Sequence, residues 1–336
     1  MLVRAPVCHA GKRSAGWDDS QRVRDYGTRG PRGGTLCAVI TDSVREFETE
    51  RPRLFGLAYR MLGSAQEAED VVQDAYLRWA GTDRAAVRTP GAWLTTTVTR
   101  LCLTVLDSAR VRRERYVGPW LPEPVLTSGG ALGPMESAEQ REEVSSALLL
   151  LLERLSPPER AVYVLHNAFG YGHREIAGIL GLSESGARQH LRRARARLAE
   201  ERARYAVESE RQRALVETFL AASRAGDVSE LVSLLAEDVS WWSDGGGRVP
   251  AARKIVVGRE PVAGLIRMAL EKWLVDAEFR PAQINGAPAL LFFSDGRLGG
   301  VMEVSGGAEG ITQIRAVLNP EKLGYLAEQL GAGEAS

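Results

Sequence analysis

The chain has 336 residues, 44% of them hydrophobic, and its 43 basic side chains equal its 43 acidic ones in number. This length suits two or three domains with cores of their own and excludes a disordered chain. No run approaches the ~20 apolar residues of a membrane helix. Because a signal-peptide pattern is also missing, we expect a cytoplasmic location without membrane association. The three cysteines, Cys8, Cys37 and Cys102, are far apart and predict neither disulfides nor a zinc site, and no cofactor is expected.

Residues 1–42 mix Gly, Arg, Ser and Pro without apolar periodicity, and we expect them to be disordered. Two apolar stripes at helical spacing follow and predict a helical bundle. They comprise Leu54, Leu57, Ala58, Met61 and Leu62, and then Val71, Val72, Ala75, Tyr76 and Trp79. Ser64 followed by Glu67 predicts a capping box. The acidic side chain of Glu67 is then explained by its favourable interaction with the positive end of the helix dipole. Asp70, Gln73 and Asp74 lie further along the helix and are the better candidates for a partner surface.

A third helix is predicted from Pro90, with an apolar face that includes Trp93 and Leu94. Its other edge combines hydroxyls and arginines, which suit contacts with phosphates and unstacked bases. The candidates are Trp93, Thr96, Thr99, Arg100, Arg110 and Arg113. An ordinary solvated basic face is the alternative for any single one of them. Residues 116–134 then contain Pro119, Pro122 and Pro124 and a Gly-rich run, which predicts an extended linker.

Residues 172–198 predict two helices joined by a tight turn at Gly181, with Ser183 or Ser185 capping the second helix. Ala187, Leu191, Ala194 and Leu198 recur at helical spacing and form its inner face. The outer face presents Ser185, Arg188, Gln189, Arg192 and Arg193. These residue types pair with base edges and phosphates, so the pattern favours a helix-turn-helix over an ordinary solvated hairpin.

After residue 205 the pattern becomes mixed, and the charge changes sign: residues 206–336 hold 13 Lys and Arg against 18 Asp and Glu. Helices are predicted at Glu210–Ala225 and Val228–Leu235. Strands are predicted at Val239–Trp242, Lys254–Val257, Leu290–Ser294, Gly300–Val304 and Ile311–Val317. Two helices followed by an antiparallel sheet that curls around them predict an α+β cone with an open mouth.

Residues 47–81 and 91–124 resemble region 2 of the extracytoplasmic-function (ECF) sigma factors, and residues 138–198 resemble region 4. The resemblance implies that the helix with Glu69–Asp74 binds RNA polymerase core. It also implies that the Trp93 segment melts and reads the −10 element of promoter DNA, and that the helix-turn-helix reads the −35 element. One departure is the sequence Thr104–Asp107, where the family usually has Asp-Arg-Leu-Arg. This departure affects the details of −10 recognition.

The C-terminal part resembles the SnoaL-like extension of one group of these sigma factors. In that group the extension replaces a separate anti-sigma protein, through a WLPEP linker, a DGGG loop and an NPDKL segment. The matching residues here are Trp120, Pro122 and Glu123, then Asp244, Gly245, Gly246 and Gly247, then Asn319, Pro320, Lys322 and Leu323, with Glu321 in place of Asp. We expect the loop and the last segment to contact the linker or region 2, with the glycine amides receiving acceptors such as Glu123.

The expected fold is therefore multidomain, with two all-α sigma domains and a C-terminal α+β SnoaL-like cone. The boundaries are a disordered extension at 1–42, region 2 at 43–115, the linker at 116–137, region 4 at 138–205 and the cone at 206–331. Because the family-like sequence begins around Thr41, we expect the biological start near Val39 or Val44. A basic arm that adds nonspecific DNA affinity is left open for the residues before it.

Two alternatives remain open for function. The cone could use Asp238 or Asp244 beside Trp241 and Trp242 for acid–base chemistry, but no histidine follows residue 205 and Asp244 also suits a turn, so we expect no enzyme. A small ligand is left open. The whole chain could instead be a stand-alone helix-turn-helix regulator with a sensing or vestigial domain, although such a regulator would not need the upstream bundle. Whether the cone activates or inhibits is left open.

Overall fold

The computed structural model describes residues 33–127, 144–205, 214–219, 221–222, 228–274, 276–307 and 309–334. It opens with three helices: α1 (Gly33–Leu62), α2 (Ala65–Ala80) and α3 (Pro90–Glu114), with a 3-10 turn at Arg84–Ala86. The expectation of disorder through residue 42 is wrong for residues 33–42, which belong to α1. No proline interrupts that stretch, so the helix extends back from the bundle.

Helices α1 and α2 form because two apolar stripes bury against each other and a cap separates them. Leu54, Leu57 and Met61 of α1 are fully buried, as is Ala75 of α2. Gly63 adopts φ +66° at the break between the helices. The Ser64 hydroxyl accepts the Glu67 amide at 3.1 Å and so satisfies one of the open donors of α2. The predicted bundle is confirmed, and so is the Ser64 half of the predicted capping box.

The described residues up to Tyr205 form four further helices, namely α4 (Ser146–Leu152), α5 (Pro157–Asn167), α6 (His173–Leu180) and α7 (Glu184–Tyr205). Gly181 ends α6 in the left-handed conformation at φ 68°. The Ser183 hydroxyl caps α7 by accepting the Gly186 amide at 3.1 Å. Because Ala187, Leu191, Ala194 and Leu198 are all buried, the predicted helix-turn-helix is confirmed.

The two helical groups share one core. A single cluster of buried apolar side chains runs from Phe47 to Leu198. Buried Arg160 of α5 donates to the Met61 carbonyl of α1 at 2.8 Å. Arg53 of α1 lies 3.2 Å from the Tyr171 hydroxyl, just before α6. The groups are therefore docked on each other and do not stand apart.

The C-terminal domain joins helices to a six-stranded sheet. Its elements are α8 (Val228–Ser233), β1 (Leu235–Asp244), β2 (Val256–Val257), α9 (Arg259–Lys272), β3 (Glu278–Ile284), β4 (Ala287–Ser294), β5 (Arg297–Gly307), β6 (Gly310–Val317) and α10 (Pro320–Glu334). The strand order is β2-β1-β6-β5-β4-β3. Of the predicted helix Glu210–Ala225, residues 214–219 and 221–222 are helical, and the rest lies outside the described residues.

The sheet differs from the prediction in two ways. Strands β1 and β6, the first and last long strands of the domain, are neighbours in the sheet and run parallel. The expectation of an antiparallel sheet is therefore wrong at that pair. Strand β3 and helices α9 and α10 were not predicted. In β3, Pro281 and the exposed Glu278 and Arg280 hide the strand pattern.

Two apolar clusters organise this half. One lies inside the cone and includes Trp241, Ile266 of α9 and Ile314. The other brings Leu121 of the linker against Leu291 of the sheet and the α10 residues Leu323 and Leu326. The linker is thus part of a core and is held between the helical groups and the cone. Among the described residues, no helix combines the length and hydropathy needed to cross a membrane.

Candidate DNA, polymerase and linker interfaces

The outer face of α7 is open to solvent. Ser185, Arg188, Gln189 and Arg192 are exposed. Arg188 is 64% exposed and pairs with Glu184, one turn earlier. Since exposed pairs of this kind contribute little free energy, the guanidinium is available for another partner.

Arg193 is placed differently from its neighbours. Its Nε lies 2.9 Å from Oε1 of Glu159, whose side chain is 4% exposed, and Arg197 binds the other oxygen at 2.5 Å. Burial alone would raise the pKa of Glu159, but hydrogen bonds from Ser156 and the two arginines outweigh it and lower that pKa. Arg193 therefore ties α7 to α5, a structural role that the sequence did not predict.

The α2 candidates share one exposed face. Asp70, Gln73 and Asp74 are all exposed. Leu77 follows one turn later on the same face and is 61% exposed, although it is a large apolar residue. Sequence reasoning missed Leu77. Its position outside the buried stripe of α2 was the available signal.

The α3 candidates divide into accessible and occupied residues. Trp93 packs against Trp79 with ring centroids 5.5 Å apart and stays partly exposed, as does Thr96. Thr99 is fully buried and donates to the Thr95 carbonyl at 2.8 Å, so the prediction that it faces DNA is wrong. The side chain of Arg110 lies outside the described part of the chain.

Arg113 is also wrongly predicted as a DNA contact. Its guanidinium donates to the Leu62 carbonyl at 2.5 Å and forms an ion pair with Glu153. It also stacks 4.1 Å from the ring centre of Trp120. With 17% of its side chain exposed, Arg113 joins α1, α4 and the linker.

The linker is held by a buried carboxylate. Asp244 is fully buried at the end of β1. One of its oxygens accepts the Tyr116 hydroxyl at 2.5 Å, and the other accepts the Leu121 amide at 2.8 Å and lies 2.6 Å from Lys322 Nζ. Asn319 completes the arrangement by donating to the Tyr116 hydroxyl at 2.9 Å. We call Tyr116, Leu121, Asp244, Asn319 and Lys322 the linker lock.

The glycine loop after Asp244 lets the backbone come close to this lock. A Cβ atom on Gly246 would stand 2.3 Å from Asn319 Nδ2, and one on Gly247 would touch Val117 at 3.4 Å. Gly245, beside them, lies against the segment around Val249 and Ala251. Burial lowers the pKa of Lys322 to about 8, while Asp244 acts in the opposite direction.

The remaining candidates from the motif resemblance surround the lock. Lys322 Nζ lies 4.3 Å from the ring centre of Trp120, and that ring fills the space beside Gly63. Pro122 and Leu323 are buried, whereas Pro320 is exposed at the start of α10. The expected contact of the loop and the last segment with the linker is therefore observed.

Glu123 has a different partner from the one expected. Its carboxylate accepts the Ser64 hydroxyl at 2.7 Å and the Gln66 amide at 3.0 Å. Burial raises its pKa. The expectation that Glu123 meets the glycine amides is wrong, because this carboxylate caps the N-terminus of α2.

A second polar junction, centred on Asn285, was missed. Its Oδ1 lies 2.8 Å from the Tyr59 hydroxyl and accepts the Val125 amide at 3.1 Å. Its Nδ2 donates to Ser146 at 2.8 Å, and Ser146 in turn donates to buried Glu303 at 2.7 Å. Asn285-Gly286 signals a hairpin turn in the sequence, but nothing local shows that its amide joins α1, the linker and α4.

The cone encloses a cavity of about 770 Å³. Its wall is mostly apolar and includes Trp241, Met268 and Phe292. Asp238 is exposed elsewhere, and Asp244 is turned to the linker. Among the described lining residues there is no carboxylate and no histidine, so neither acid considered for catalysis meets this space.

Comparison with known proteins agrees with this arrangement. Residues 47–113 match the model of sigma-70 region 2, and residues 145–198 match that of sigma-70 region 4. The ECF RNA polymerase sigma factor SigJ of Mycobacterium tuberculosis is 40% identical over 231 residues, which is 68% of this chain and 74% of the relative. The chain belongs to the ECF sigma factors. The probable ECF sigma factor SigI of the same species is 34% identical over 291 residues, covering 85% and 97% of the two chains.

The crystal structure of M. tuberculosis SigJ superposes on this sigma factor with a TM-score of 0.66 at 32% identity, over 84% of this chain and 98% of that one. Two helical sigma regions followed by a sheet-containing C-terminal domain are thereby confirmed. This sigma factor acts in promoter recognition for transcription initiation, with RNA polymerase core and promoter DNA as partners. It is a regulator of transcription.

The two DNA-binding regions of this sigma factor touch each other. Arg100 of α3 donates to the Ile179 carbonyl of α6, 3.3 Å away. Thr95, one turn earlier, is buried within 3.2 Å of the Tyr171 hydroxyl. The helix expected to read the −10 element is therefore packed against the helix-turn-helix.

Proposed function

We propose that the C-terminal domain holds this sigma factor in a closed state, in which region 2 and region 4 are docked and unable to engage a promoter together. The observation that carries the proposal is that two separate groups of hydrogen bonds hold the linker in place. The linker lock fixes residues 116–121, and Asn285 fixes Val125, Tyr59 and Ser146.

The closed state engages one promoter-contact candidate and is held together at a junction of the two regions. Arg100 donates to the Ile179 carbonyl of region 4. Arg113 and Trp120 stack on each other at the junction of region 2, region 4 and the linker and stabilise that junction. Promoter binding requires the regions to separate, and separation must break contacts that the C-terminal domain stabilises. The domain thus shifts a closed-to-open equilibrium without touching DNA.

Within the open state we assign each surface a partner. The exposed face of α2 with Asp70, Gln73, Asp74 and Leu77 binds polymerase core. Ser185, Arg188, Gln189 and Arg192 of α7 read the −35 element, and Trp93, Thr96 and Arg100 of α3 contact the −10 element. The boundaries 43–115, 116–137, 138–205 and 206–331 follow from these roles, and the protein acts where polymerase does, in the cytoplasm.

Run-off transcription with purified core enzyme and the full chain tests the closed state. Asp244→Ala removes the acceptor of Tyr116 and Leu121, and we expect it to raise initiation from a matched promoter about five- to a hundredfold, the usual range of a coupling between sites. Asp238→Ala is the matched control, since Asp238 lies on the same strand and is exposed. Equal or lower activity of a folded Asp244→Ala protein would contradict masking by the domain.

A further inference from the structure

The cavity of the cone has an uneven distribution of charge. Its lining is apolar, with Trp241, Met268, Trp273 and Met302 among the contributors. The charged side chains among the described lining residues are two arginines, Arg248 and Arg253. The volume of about 770 Å³ lies within the range in which proteins hold drug-sized ligands.

The two arginines differ in how they are engaged. Arg248 pairs with Glu321 at 2.6 Å, but both side chains are more than half exposed, so the pair is weak. Arg253 is exposed, and no acidic group among the described residues pairs with it. An apolar space with a cation at its edge matches an apolar molecule with one anionic group.

The linker forms part of the cavity wall. Val117 and Gly118 line the space directly, next to Tyr116 of the linker lock. Gly118 adopts φ +89°, and a Cβ atom on it would stand 3.8 Å from the Arg253 Cα and 3.9 Å from the Ala252 carbonyl oxygen. The wall is therefore complete only while the lock keeps the linker in place.

We propose that this cavity binds an apolar monocarboxylate, with its chain against Trp241 and Met268 and its carboxylate on Arg253, and that binding strengthens the closed state. A ligand that contacts Val117 binds the seated linker more tightly than the released one, so its binding stabilises the seated form. Because such coupling is reciprocal, a substitution that weakens the linker lock must also weaken the binding of the ligand. The binding site stands independently of the proposed function, whereas its effect on transcription rests on it.

Dodecanoate, with dodecan-1-ol as its neutral counterpart, is a suitable probe for the full chain. Isothermal titration below the micelle concentration should show saturable binding of dodecanoate. We expect Arg253→Gln to weaken dodecanoate about two- to fivefold, as the loss of an exposed ion pair does, and to leave dodecan-1-ol unchanged. Lys254→Gln removes the neighbouring exposed charge, which does not line the cavity, and should bind like the wild type.

Two further measurements test the cavity and its coupling to the linker. Ala269→Phe fills the space from α9 and should abolish binding of both probes. Dodecanoate should slow hydrogen exchange of the Leu121 amide, and Asp244→Ala should weaken dodecanoate several-fold.

Absence of saturable binding, or wild-type affinity in Arg253→Gln, would overturn the site. Unchanged exchange at Leu121 with intact binding would overturn the coupling. Neither result depends on the transcription assay, so failure of the site and failure of the proposed closed state are distinguishable.

Discussion

Lys322 is a buried cation whose nearest charge is Asp244, 2.6 Å away. Its ammonium also donates to the Leu121 carbonyl and lies near the Tyr116 and Trp120 rings. Removal of one member of a buried pair leaves the other charge without compensation, which costs about 3–5 kcal/mol. The lock is therefore sensitive to single substitutions at the residue scale.

Asp244→Asn should lower the free energy of unfolding by several kcal/mol at pH 6.5 and by less at pH 9. The folded pKa of Lys322, about 8, is below its ordinary value of 10.5, so its neutral form is favoured by folding. The substitution lowers that pKa further. Below pH 8 the variant carries the larger penalty, and above it both proteins hold a neutral lysine. Urea unfolding at the two pH values measures the difference, and a penalty that grew with pH would contradict the charge argument.

Arg193 and Arg192 are adjacent but should respond differently to alanine. Arg193→Ala should destabilise region 4 by about 1–2 kcal/mol, because buried Glu159 loses a hydrogen-bonded cation. Arg192→Ala should leave stability within about 0.5 kcal/mol and weaken binding to a −35 element by about 1–3 kcal/mol. Thermal unfolding and promoter footprinting separate the two. A purely DNA-binding defect in Arg193→Ala would restore the sequence-based expectation for it.

At the element scale, α2 shows an exposed face that its own bundle does not need. Two acids, an amide and Leu77 lie on successive turns. An exposed leucine within a polar rim is typical of a protein interface. The acids of the α2 face can thus orient a binding partner, and Leu77 can add an apolar contact that increases its affinity.

Asp70→Lys with Asp74→Lys should abolish the favourable charge contact with core polymerase and reduce the salt dependence of binding. Leu77→Ala should weaken binding by about 1 kcal/mol or more without changing its salt dependence. Glu260→Lys with Glu271→Lys on α9 is the control, since both acids are exposed and distant in the chain. Pull-down with core enzyme gives the measurement. Wild-type affinity in both test variants would favour the stand-alone DNA-binding alternative.

Local signals predicted the helices well, since Gly181, Ser64 and the stripe ending in Leu198 act within one or two turns. They failed where contacts join distant segments. Thr99 and Arg113 have the residue types of a DNA surface, yet Thr99 is buried and Arg113 is engaged by Leu62, Glu153 and Trp120. Asn285 signals a turn, and only the tertiary fold shows its three partners, Tyr59, Val125 and Ser146. Motif resemblance placed Asp244 and Lys322 near the linker, but it could not give the pairing of Glu123 with α2.

At the scale of the whole molecule, three apolar clusters form a chain of contacts. The first unites regions 2 and 4, the second lies inside the cone, and the third joins the cone to the linker through Leu121. Contacts that stabilise the cone therefore also stabilise the packing of the linker and the sigma regions. In the proposed closed state, the same contacts stabilise the fold and keep regions 2 and 4 from engaging a promoter.

Asn285→Ala should uncouple the unfolding of the cone from that of the sigma regions. The wild-type protein should unfold in one calorimetric transition, because Asn285 links Tyr59, Val125 and Ser146 across the junction. The variant leaves the buried Val125 amide without its acceptor, at about 1–3 kcal/mol, and breaks the links to Tyr59 and Ser146, which keep the Glu123 carbonyl and Glu303 as partners. It should therefore unfold in two transitions.

Asp295→Ala is the matched control for this experiment. Asp295 also has a positive φ, 52° against 49° for Asn285, and it also precedes a glycine in a hairpin turn, but it is exposed. Alanine therefore brings similar backbone strain at both sites and removes the junction at only one. Two transitions in the Asp295 variant, or one in the Asn285 variant, would show that the junction does not couple the domains. Two in the Asn285 variant alone would identify the amide as the element that makes the closed state cooperative.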